Sequence, residues 1–139
     1  MTISGWFSNS VRYWHRDIAT GIKNLIIWFP TIWTDRNWDY VFLLGIIRKK
    51  LLNDAKYHRE CGISEDADLY AKEMEFCVRC IDRITNDVHW NDYYQKHKHL
   101  PREGFLELFR EFDEPEFKQE RDKKLLFRVI EKNINGWWD

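Results

Sequence analysis

A chain of 139 residues, 44% hydrophobic and 32% charged, is long enough to bury one core and too apolar for a disordered segment. A net charge of −1 argues against binding long nucleic acid, yet residues 1–59 carry nine Lys/Arg against four Asp/Glu and residues 60–139 thirteen against nineteen. Three cysteines, Cys61, Cys77 and Cys80, without a secretion signal predict a reducing compartment, and the longest apolar runs, 25–29 and 40–47, fall far short of the roughly 20 residues of a membrane span.

Residues 10–29 read as the first helix. Trp14, Ile18, Ile22, Leu25 and Phe29 recur at intervals of three and four, with Arg12, Arg16 and Lys23 on the opposite face. Pro30 disfavours the helical conformation at Phe29 and is expected to end the element. Residues 30–38 form a turn, in which Thr34 or Asp35 can cap a second helix and Asp39 suits its dipole. That helix runs to about Glu60, ahead of Gly62, on the stripe Tyr40, Leu44, Ile47, Leu51 and Ala55. Phe42, Leu43 and Ile46 make its first turns apolar nearly all round. A third helix starts from Ser64, carries Ala67, Tyr70, Met74, Cys77, Ile81, Ile84 and Val88 on one face, and is expected to continue toward Tyr94. A short helix over 102–112 presents Phe105, Leu108, Phe109 and Phe112. Asp113–Pro115 breaks the chain before a last helix over 117–134, with Leu126, Val129, Ile130 and Ile134 inward. Gly136 ends it and leaves Trp137-Trp138-Asp139 as a tail. Four main helices and one short one predict an all-α bundle and a single domain over 1–139.

No motif carries recognisable catalysis, so a non-enzymatic role leads, without metal or cofactor; an unfamiliar hydrolase is the rival from that class. The Cys77-x-x-Cys80 pair lies inside a helix, with Cys77 on the core stripe, and reads as structural rather than redox or zinc-binding. Eight tryptophans supply more aromatic surface than a small core absorbs. The densest stretch, 28–40, sets Trp33, Trp38 and Tyr40 beside Arg36, Asp35 and Asp39. Rings of this kind stack on nucleobases, a guanidinium pairs with phosphate, and a carboxylate accepts from a base amino group or a ribose hydroxyl. The competing reading makes Trp28 and Trp38 core residues and Asp35–Arg36 a helix cap with a local ion pair.

The stretch Trp28-Phe29-Pro30-x-Ile32-Trp33-x-Asp35-Arg36-x-Trp38-Asp39 resembles a motif of small proteins of tailed bacteriophages, in which a second aspartate stands where this chain has Asn37. Ala71-Lys72-x-Met74-x-x-Cys77 and Ile81-Asp82-Arg83-Ile84 are similar to the same proteins, so the resemblance covers residues 20–90. It implies a phage accessory protein in the cytoplasm of the infected bacterium. The function expected is sequestration, without turnover, of a nucleotide-derived immune signal such as a cyclic oligonucleotide or an ADP-ribose derivative. The site expected for it comprises Trp33, Arg36, Trp38, Tyr40, Asp35 and Asp39, with Arg12, Arg16, Lys23 and Lys49 facing phosphate. The alternative is an interaction protein that uses its aromatic surface to oligomerise or to block a host protein. A homo-oligomer is expected from the apolar start of the second helix, the Trp137-Trp138 tail and the opposed charge of the two halves. No membrane contact is expected, because the apolar face of the first helix is assigned to the bundle.

Overall fold

The 3.6-residue spacing of apolar side chains becomes helix in every segment that shows it. The computed structural model describes the backbone of residues 3–34, 40–111 and 113–138, and the side chains of 14–34, 40–110 and 113–138. Among these residues there is no strand. The order is α1 (Ile3–Trp33), α2 (Tyr40–Cys61), α3 (Ala67–Thr85), α4 (Val88–His97), α5 (Arg102–Glu111), α6 (Glu114–Asn133) and a 3-10 turn at Gly136–Trp138. The fold is all-α, and the chain divides into two compact units, Met1–Trp38 and Asp39–Asp139.

The first unit has α1 as its only described element. This helix does not stop at Phe29 but passes through Pro30 to Trp33. Proline forfeits one backbone hydrogen bond and crowds the carbonyl four residues back, yet its fixed φ is a helical one. Less than a full turn follows it, where Thr34 Oγ1 donates to the carbonyls of Thr31 (3.1 Å) and Pro30 (3.4 Å). The apolar stripe also continues across the proline, and the rings of Phe29 and Trp33, one turn apart, have centroids 5.2 Å apart. Trp14, Ile18, Ile22, Leu25, Phe29 and Trp33 are all exposed. A lone helix has no second surface with which to cover such a stripe.

In the second unit α3 is central, packing on α2, α4 and α6. Ala71, Met74, Cys77, Cys80 and Ile81 are fully buried on it. Leu44, Leu51 and Ala55 of α2, Leu126 of α6 and Trp137 complete the core. Each large apolar side chain buried this way contributes about 1.5–3 kcal/mol against exposure. The turn from α2 toward α3 is as tight as the backbone allows: a Cβ on Gly62 would lie 2.3 Å from the His58 carbonyl oxygen and 2.5 Å from Ala67 Cβ. Only a residue without a side chain fits there.

Three further features, two boundaries and the C-terminal segment, depart from the sequence reading. The third helix does not reach Tyr94: Asp87 adopts φ 50°, in the left-handed region that Asn and Asp tolerate best, and α4 starts afresh at Val88. Ahead of that break Thr85 Oγ1 donates to the Ile81 carbonyl at 2.9 Å, and the Asn86 N–H to the Asp82 carbonyl at 3.1 Å. The last helix begins at Glu114, because Asp113 Oδ1 accepts from the Glu116 N–H at 3.2 Å and Pro115 occupies the first turn, where its missing N–H costs nothing. The supposed breaker is therefore the helix start. Finally, Trp137 is not a loose tail but a core residue, 1% exposed. Its indole N–H donates to Glu73 Oε2 at 2.9 Å, and His58 Nε2 donates to its carbonyl at 3.0 Å.

Candidate functional site

Of the ten residues singled out in the sequence, five have described side chains, three in the first unit and two in the second. Trp33 stands in the last turn of α1, 77% exposed, and Arg16 and Lys23 lie exposed on the same helix. Tyr40 opens α2 with its ring 5.8 Å from the Lys123 ammonium. Lys49, half-buried, is nine residues further along α2 and so points to the opposite side from Tyr40. Asp35, Arg36, Trp38 and Asp39, and the side chain of Arg12, lie outside the described residues. Of the motif stretches quoted from the sequence, Trp28–Trp33 falls at the end of α1 and 71–84 along α3.

What the second unit does assemble is a cleft of about 450 Å³ between the C-terminal half of α2 and the 3-10 turn, within the size range of small-molecule sites. Docking of Trp137 creates it. With Trp137 anchored to Glu73 and His58, Trp138 is held half-exposed at the rim, its ring centroid 6.0 Å from that of Trp137. Tyr57 and His58, consecutive on α2, form the facing wall. The His58–Trp137 contact places a proton on His58 Nε2, since its partner is a carbonyl. The His58 ring is braced edge-on by Tyr70 of α3, at 5.7 Å.

The polar centre of the cleft is Asp54. Its Oδ1 accepts from Lys50 Nζ at 2.7 Å, one helical turn earlier, and the same ammonium lies 5.6 Å from the Trp138 ring centroid. Its Oδ2 is buried and has no hydrogen-bond partner. A buried acceptor left without a donor costs roughly 1–3 kcal/mol, and more when it carries charge. The cleft is therefore lined by a half-exposed indole, the rings of Tyr57 and His58 and the Asp54 carboxylate, whose partner Lys50 lies beside the Trp138 ring. Comparison of the chain with protein-family models, curated proteins and solved structures gives no match.

A second polar cluster is structural in form. Asp122, fully buried on α6, accepts from Arg83 Nε (2.7 Å), Arg83 Nη2 (3.0 Å) and His89 Nε2 (2.7 Å), tying α3 and α4 to α6. Burial pushes its carboxyl pKa up, but the hydrogen bonds from Arg83 and His89 outweigh that and hold it below the ordinary value. Arg83 Nη2 also meets Cys80 Sγ at 3.4 Å. The two helical cysteines pack as core residues: burial, reinforced by Cys80 and Glu73, pushes the Cys77 thiol up to about 12, and burial raises Cys80 as well.

Asp54, His58 and Trp138 were not singled out in the sequence because Trp137 meets His58 across 79 residues. A usable trace existed for Asp122, a carboxylate four residues before Leu126 and therefore on the inward face of the last helix.

Proposed function

We propose that the protein is a non-catalytic binding protein whose aromatic cleft takes a nucleobase-bearing small molecule. The observation that carries this is a cleft lined jointly by the Asp54 carboxylate and the half-exposed Trp138 ring. A planar heterocycle stacked on that ring presents an amino or ring N–H edge to the carboxylate. Lys50, half-exposed at the rim, is within reach of an attached phosphate. The resemblance of residues 20–90 to small phage proteins supports a role in holding a nucleotide-derived host signal without turning it over. In this reading the pocket is formed by 50–64 with 137–138 rather than by 33–40. The expected homo-oligomer does not use Trp137, whose ring is consumed within its own unit.

The test is ligand recovery from the full chain after incubation with ATP, ADP-ribose and a cyclic dinucleotide in parallel. Intact nucleotide released on denaturation, with retention lost in Asp54→Ala and Trp138→Ala, is the expected result. Release of a cleaved product would mean an enzyme, and recovery of nothing would favour the interaction-protein alternative.

A further inference from the structure

We propose that α1 is a membrane-surface helix that lies on anionic lipid, its stripe of Ile18, Ile22, Leu25 and Phe29 set into the acyl boundary and Arg16 and Lys23 at headgroup level. This goes beyond the cleft and is independent of it. The sequence reading excluded membrane contact because the apolar face of this helix was needed for the bundle. The second unit builds its core from α2, α3, α6 and Trp137, and within its own unit the α1 stripe is exposed.

The stripe is substantial. At 1.5 Å per residue, 31 residues extend about 46 Å, and apolar side chains line one face from Trp14 to Trp33. Leu25 is 68% exposed and Ile26 70%. Arg16 and Lys23, seven residues apart, share the other side. No described helix is long and apolar enough to cross a membrane, and a helix with one apolar and one basic face lies in the interface instead. Trp14, Trp28 and Trp33 are residues that favour that interface.

Charge selects lipid over a second copy as the occupant. α1 carries Arg12, Arg16 and Lys23 against Asp17 alone. A second α1 laid along the first brings like charge, whereas an anionic headgroup layer brings the opposite charge. The apolar face and the cations then act together, as peripheral binding requires.

The experiment is co-sedimentation of the full chain with vesicles of phosphatidylcholine alone and of phosphatidylcholine mixed equally with phosphatidylglycerol, with tryptophan emission read in parallel. Sedimentation with the anionic vesicles, a blue-shifted emission and weakening by salt are expected. Arg16→Gln with Lys23→Gln should weaken binding about thirtyfold at low salt. Leu25→Glu should abolish it. Both variants should keep the thermal transition of the second unit, which separates lost binding from lost folding. Equal binding to both vesicle types, or none to either, overturns the proposal. So does a dimer mass in solution that Leu25→Glu dissolves while vesicles are ignored, since a second copy then covers the stripe.

Discussion

Replacing Asp122 with Asn should be among the most damaging single-atom changes in the second unit. The carboxylate is fully buried and takes three hydrogen bonds, two from Arg83 and one from His89. Asn keeps one acceptor oxygen but turns an NH₂ donor against a guanidinium or an imidazole. Removing one partner of a buried ion pair costs about 3–5 kcal/mol. The Arg83 side chain is 33% exposed, so water relieves part of the loss and the lower end applies. Against a typical total of about 5–15 kcal/mol, a loss of about 3 kcal/mol lowers Tm by roughly 12–24 °C. The sign with pH follows from the depressed carboxyl. A folded pKa below the unfolded value of about 3.9 contributes stability above that pH, and the contribution disappears as pH falls through the folded pKa. Wild type should therefore lose stability on acidification below about pH 4, and Asp122→Asn should lose less over the same interval. Urea unfolding at stepped pH, followed by tryptophan emission, measures both. A loss under about 1 kcal/mol, the worth of an exposed pair, or an unchanged acid slope would refute the buried-pair account.

Trp137→Ala should destabilise the second unit by about 3–5 kcal/mol, seen as a lowered helical melting transition, because it empties a core position and cuts the Glu73 hydrogen bond. Gly62→Ala should cost about 1–3 kcal/mol by urea midpoint, since the new methyl overlaps the His58 carbonyl; a neutral result would mean the turn can open without penalty. Iodoacetamide should label the native chain at exposed Cys61 alone, with Cys77 and Cys80 modified only after denaturation, as intact-mass measurement would show; two or three adducts on the folded chain would contradict the burial of these thiols.

Periodicity by itself determined the helical class and the core face of α3, but not that Trp137 joins the core. The stripe Ala67, Met74, Cys77, Ile81 and Ile84 is buried as its spacing requires, because a 3.6-residue repeat has one geometric solution that brings it to one face. Boundaries were less legible. Pro30 and Pro115 each read as a stop and each proved compatible with helix, since proline is costly only where an N–H is needed, and near either end of a helix few are. The break at Asp87 depended on one left-handed residue inside an unbroken pattern. The cleft was beyond local reading altogether. Sequence proximity drew attention to the rings and charges of 28–40, of which 35–39 lie outside the described residues. Asp54, His58 and Trp138 become neighbours only when Trp137 finds Glu73 and His58 across the bundle. A helix dictates which side chains share its own face; which faces meet is decided by burial and by buried polar groups finding partners, and those terms act between residues far apart in the chain.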